Sequence, residues 1–215
     1  MVANLRFYII YLALFAGIVG IIFLHKLPNN KAKSVVAMIW FSVLTEFVGL
    51  NFSKWTNLLN YVVFNFYILA SFSYYIILLR KLLNSLIYKS IASFFLISFL
   101  LFFLVFFLFF DLGINRIDTL SFALGISFVV FLSCRYFFET VNSNKIMDLQ
   151  NSIFFWFIIG VMLFHVPFLP FMLSLEWFLI DYNENVLSLI LFFLNLLMYC
   201  CFIFGFVWSE KKYNY

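Results

Sequence analysis

The sequence predicts an all-α integral membrane protein, a single bundle of seven spanning helices over residues 1–215. Three observations carry that prediction. Apolar residues make up 67% of the chain and charged ones 10%, with a mean hydropathy of +1.11. Globular chains sit near half apolar and a quarter charged. Apolar runs of about 17 to 23 residues recur seven times, and roughly 20 residues cross the 30 Å hydrocarbon layer of a bilayer. The connections between runs reach at most about 14 residues, too few to fold into a domain. Any chemistry therefore belongs inside the helices or to a partner protein.

The first run, Phe7 to Leu24, follows Arg6 and precedes His25, Lys26, Lys31 and Lys33. It lacks the shorter core and small-residue cleavage site of a signal peptide, so it reads as a retained helix. Ala13 with Gly17, and Ala16 with Gly20, are spaced by four, which lets another backbone approach closely. The second run, Val35 to Asn51, carries Glu46, a carboxylate set inside an apolar stretch. A charge at the centre of a spanning helix costs roughly 2.5–3.5 kcal/mol on insertion scales. Ser42, Thr45, Glu46, Gly49 and Ser53 recur at helical spacing, whereas Val43, Leu44, Phe47 and Leu50 occupy the remainder, so the polar face is expected to point inward.

The third run, Asn60 to Leu79, holds Asn65, Tyr67 and Ser71 and ends on Arg80-Lys81; with the second it forms a hairpin through a loop at Phe52 to Leu59, where Trp55 serves as an interfacial anchor. The fourth, Ile91 to Phe110, is apolar on every face and expected at the periphery. The fifth, Thr119 to Phe138, has Arg135 close enough to its end to snorkel. The sixth, Ile153 to Leu175, contains His165, Pro167 and Pro170, so a kink with freed carbonyls is expected in its distal half. The seventh, Val186 to Trp208, puts Ser188, Phe192, Asn195 and Tyr199 on one face.

Basic residues set the orientation. Arg6, Lys54 and Arg116 fall on one side, and Lys26, Lys31, Lys33, Arg80, Lys81, Lys89, Arg135, Lys145, Lys211 and Lys212 on the other. The positive-inside rule then puts the N-terminus outside and the C-terminus in the cytoplasm, with the chain in the cell inner membrane. Asp111, Asp118, Glu176, Asp181 and Glu184 give the outer side an acidic character, expected as a solvated face. The net charge of +4 is not a nucleic-acid footprint, because the cations lie at helix ends rather than in a stripe. Cys134, Cys200 and Cys201 have neither zinc nor redox spacing and read as small apolar packing residues.

Counted from the cytoplasmic ends at 1.5 Å per residue, Glu46 lies about 16 Å deep, His165 about 18 Å, Asn195 about 20 Å and Asn65 about 21 Å. Together with Tyr199 they are the candidate ligand-binding residues. A histidine and a carboxylate at one depth can share a proton or hold a polar ligand, with the amides supplying donors and acceptors. If Glu46 and His165 act in one network, a double-mutant cycle returns at least about 0.5 kcal/mol of coupling. As interhelical glue alone, each such bond contributes about 0.6 kcal/mol.

Several intramembrane chemistries find no support. The seventh run has no Lys for a retinal Schiff base, two histidines are too few for a three-histidine zinc site, and HExxH is missing. Gly125-Ile126-Ser127-Phe128 has Phe where the rhomboid serine motif has its second Gly. No cofactor, catalytic residue or metal ligand is expected. A three-plus-one-plus-three transporter would match Glu46 with His165, yet the Pro-Gln pair of sugar exporters is absent.

Glu46 and Gly49, followed by Asn60-Tyr61 and Asn65-Phe66-Tyr67, resemble a group of small seven-span proteins of Bacteroidota with no assigned activity, over the second and third helices. The resemblance implies a sensory or accessory role beside signalling proteins and assigns no residue a function. The function expected is a membrane-embedded binding or sensory module around Glu46, taking a small or lipidic ligand and signalling through a membrane protein partner. A small-solute or proton-coupled transporter comes second, and an enzyme acting on lipid third.

Overall fold

The computed structural model describes residues 5–109, 117–142, 146–177 and 184–214. Regular structure among them is helical throughout: α1 (Leu5–Ile22), α2 (Asn30–Thr56), α3 (Tyr61–Leu82), α4 (Leu86–Phe109), α5 (Thr119–Val141), α6 (Ile153–Trp177) and α7 (Glu184–Trp208), with short 3-10 turns at Leu24–Lys26, Ile146–Asn151 and Lys211–Tyr213. The six helices from α2 to α7 are long and apolar enough to cross a membrane, and Tyr8–Ile22 of α1 is a shorter apolar helix. The chain is a multi-pass membrane protein.

Helix ends follow capping chemistry rather than hydropathy, and several lie beyond the expected runs. α2 starts at Asn30 because the Asn29 side chain accepts the Ala32 N–H at 2.8 Å, an N-cap placed just after Pro28. It continues to Thr56 and stops at Asn57, whose φ of 58° is the left-handed conformation that Asn tolerates past a helix end. The expected loop at Phe52 to Leu59 thus contracts to the last few residues, and at 27 residues α2 is about 40 Å long. α4 begins at Leu86, five residues early, so only Leu83 to Ser85 separate it from α3. α5 runs on to Val141, which brings Glu139 inside a spanning helix.

Two compact units divide the chain, one formed by 1–44 with 145–215 and the other by 45–144, the boundary falling inside α2. In the first unit α7 packs on both α6 and α1. α6 and α7 run in opposite directions: Gly160 lies against Met198, Cys201 and Phe202, and Gly205 against Trp156 and Ile153. The Phe157 and Phe202 rings stack at 4.9 Å in the same register. The small face of α1 is used as its spacing suggested. Ala13 and Ala16 are fully buried, Gly17 sits on the Trp40 indole, and Gly20 sits on Phe206 and Val36.

A clasp closes one end of this unit. Asn214 is fully buried; its Oδ1 accepts the Ile153 N–H at 2.9 Å, and its Nδ2 donates to the Lys26 carbonyl at 3.2 Å. The first N–H groups of a helix have no partner within it, so Asn214 caps α6 from 61 residues away. Glu210 N–H donates to the Asn151 carbonyl at 3.0 Å, and the Lys26 ammonium donates to the Val207 carbonyl at 2.7 Å.

In the second unit α3, α4 and α5 pack on one another. Phe72 is fully buried at its centre, with Tyr75, Phe99 and Phe122 edge-on at 5.4–6.0 Å. Gly125 makes room for it, since a methyl there would lie 2.6 Å from Phe72 Cγ. α4 exposes Phe94, Ile97, Leu101, Leu104, Phe107 and Leu108, in keeping with wide lipid contact.

Candidate polar ligand site

The polar face of α2 is largely turned inward. Ser42, Thr45 and Gly49 are buried and Glu46 is half-buried, while Leu44 and Phe47 are exposed. Val43 is buried as well, and Ser53 is exposed beyond the apolar part, so the inward stripe is wider and shorter than its spacing suggested. Within the 45–144 unit, Gly49 faces Phe64 and its carbonyl accepts from Asn60 Nδ2 at 3.3 Å. Carried one turn back along two opposed helices, that register sets Glu46 level with the stretch from Val63 to Tyr67, which contains Asn65.

Asn65 is 3% exposed, and its Oδ1 accepts the Asp118 N–H at 2.9 Å. Asp118 is equally buried and caps α5, its carboxylate accepting the Ser121 N–H at 2.9 Å. A carboxylate at a helix N-terminus satisfies an orphan N–H and meets the positive end of the helix dipole. The expectation that Asp118 belongs to a solvated outer face is therefore corrected: the side chain is recruited inward as a cap. The other outer acids, Asp111, Glu176, Asp181 and Glu184, have side chains outside the described residues.

Beside this pair, the Thr119 and Ser121 hydroxyls are buried and have no hydrogen-bond partner among the described residues. Further along α5 Ser127 donates back to the Ala123 carbonyl at 2.7 Å, whereas Thr119 and Ser121 stand in the first turn, ahead of any such carbonyl within the helix. Each hydroxyl in apolar surroundings without a partner costs roughly 1–3 kcal/mol, so two together mark hydrogen-bonding capacity the chain does not use on itself. Sequence reasoning missed this group because Asp118 precedes its apolar run. The signal was an Asp directly before a helix start.

His165, Asn195 and Tyr199 lie in the other unit, all buried. His165 Nδ1 donates to the Val161 carbonyl at 2.8 Å, which makes Nε2 the accepting nitrogen of the neutral ring. Asn195 Nδ2 donates to the Leu191 carbonyl at 2.8 Å. The opposed register of α6 and α7 sets His165 level with Asn195, and Tyr199 follows one turn along, edge-on to Phe202 at 5.8 Å. α6 continues unbroken through Pro167 and Pro170. These prolines remove the donors that would reach the Leu163 and Val166 carbonyls, and the His165 bond goes to neither.

A charged group sits at the opposite end of the 45–144 unit from Asn65. Arg135 Nε pairs with Glu139 Oε1 at 3.3 Å, one turn along α5, and Glu139 Oε2 accepts the Asn84 N–H at 2.8 Å. The guanidinium lies over the Tyr88 ring at 4.0 Å and near Phe138 at 5.0 Å. The Arg135 head thus makes cation–π contacts as well as its ion pair.

Among the described residues no three His, Cys, Asp or Glu side chains gather as a metal group, and the three cysteines are free thiols. No family model, curated protein or solved structure matches the chain.

Proposed function

We infer that the protein is a seven-helix module of the inner membrane that recognises a small polar or lipidic ligand at the group of Glu46, Asn65 and Asp118, and passes its occupancy to a membrane protein partner. One observation carries this reading: two buried hydroxyls, Thr119 and Ser121, stand without partners among the described residues beside a buried Asn–Asp pair. Glu46 occupies a neighbouring level on α2. A group built only to hold helices together satisfies its own donors and acceptors, because each orphan destabilises the bundle. A site awaiting a ligand or ordered water keeps some of them open. His165, Asn195 and Tyr199 form a second buried polar group, within the other unit.

The test is native mass spectrometry of the full chain extracted in mild detergent, with the same lipid and metabolite extract offered to Glu46→Gln and Ser121→Ala. A retained species is expected that both substitutions release, each leaving the thermal midpoint within a few degrees of the parent. Should Ser121→Ala stabilise the protein while nothing bound is ever altered, the group is packing and the reading fails. Copurification of a membrane protein is expected from the sensory role. Glu46-dependent solute flux in liposomes would instead establish a transporter, and turnover of lipid by the isolated chain an enzyme.

A further inference from the structure

The Arg135 end of the 45–144 unit has a geometry that folding alone does not require. Arg135 lies six residues before the end of α5, about 9 Å inside it. A snorkelling arginine keeps a mobile head in water. Here the head lies over the Tyr88 ring and near Phe138, and Nε forms an ion pair with Glu139. Glu139 is itself held by the Asn84 N–H, so the carboxylate cannot swing round to take the rest of the fork. The ion pair engages Nε, and the Arg135 side chain remains 27% exposed. Arg80 and Lys81, at the end of α3, and Lys89, beside Tyr88 on α4, reach the same end of the unit, because Asn84 in the connection between them bonds to Glu139. Three further cations thus lie on the helix ends nearest the Arg135–Glu139 pair.

We propose that this end binds the phosphate of an anionic lipid, with Arg135 as the anchor. A guanidinium fork matches two phosphate oxygens in its own plane, and stacking on aromatic rings preorganises that plane at little entropic cost. Lys81 and Lys89 supply point charges that add attraction without fixing orientation. A lipid headgroup is favoured over free phosphate because Arg135 lies near the end of an apolar helix long enough to cross a membrane, and the exposed residues Leu86, Ile87 and Phe138 at that end are apolar and suited to acyl chains.

The experiment uses the full chain in nanodiscs of phosphatidylcholine, with and without phosphatidylglycerol, reading thermal midpoint and lipid retained in native mass spectrometry. The parent should keep one phosphatidylglycerol per chain and melt several degrees higher with it. Arg135→Lys preserves the charge and loses the fork, and should weaken retention about tenfold. Arg135→Gln with Glu139→Gln avoids stranding a carboxylate and should abolish the preference. Arg80→Gln with Lys81→Gln alters exposed side chains only, keeps the fold, and should reduce retention far less than Arg135→Lys. An equal loss in that last pair would reduce the effect to general charge attraction and overturn the site. Unchanged retention in the Arg135 variants would do the same, as would equal stabilisation by millimolar inorganic phosphate in phosphatidylcholine discs.

Discussion

At the scale of single residues, the caps decide more than the apolar side chains around them. Asp118→Ala removes the acceptor for Ser121 N–H at the start of α5 and should cost about 1 kcal/mol, whereas Asp118→Asn, which keeps an acceptor, should cost less. Thermal unfolding in one detergent measures both, and equal losses would show that Asp118 acts through something other than its cap. The stripe around Glu46 was legible because a 3.6-residue period survives in an otherwise apolar helix. Asp118 was not, since a charge just outside a hydropathy window looks solvated whichever way it turns. Arg135 was legible as an interfacial cation and illegible as a stacked one, because Tyr88 and Glu139 reach it from another helix and from the next turn.

Among the helices, all seven expected runs appear, and the errors lie at their ends. Hydropathy windows stop where charges begin, but backbone hydrogen bonding continues until a cap intervenes. α2 therefore gains five residues at each end, up to Asn29 and Asn57, both of which carried cap signals in the sequence. Glycines divide by what they face. Gly125→Ala presses a methyl into the body of the Phe72 ring at the centre of α3–α5 packing and should cost about 1–3 kcal/mol. Gly49→Ala meets only the far tip of Phe64, 3.1 Å away, and should be nearly neutral. Comparing thermal midpoints of the two variants checks the contrast; similar losses would show that the Phe72 notch is looser than its distances imply.

For the whole molecule, the seven-run pattern and the basic asymmetry were readable, while the pairing of helices was not, because lipid-facing and protein-facing apolar residues share one vocabulary. Orientation is tested with single cysteines and an impermeant reagent. Lys54→Cys, at an exposed position, should react in intact cells, and Lys212→Cys only after permeabilisation; the reverse pattern would invert the assignment. Asn214 is unsuited to that assay, being fully buried. Asn214→Ala should instead lower the thermal midpoint by an amount corresponding to about 1–2 kcal/mol, since it frees the Ile153 N–H and the Lys26 carbonyl together. A midpoint equal to the parent's would show that the clasp adds nothing.

The pairing of α1 with α7 has a consequence for how the protein is made. The 45–144 unit is continuous in sequence and can assemble as soon as α5 has been inserted, whereas Gly20 emerges first and waits for Phe206. At synthesis rates of about 5–20 residues per second, that wait lasts roughly 10–40 s. Throughout it, the small face of α1 can meet Trp40 and Val36 of α2 but lacks Phe206, leaving part of a smooth surface that another small-faced helix can also fit. The arrival of α7 is thus what withdraws α1 from competition.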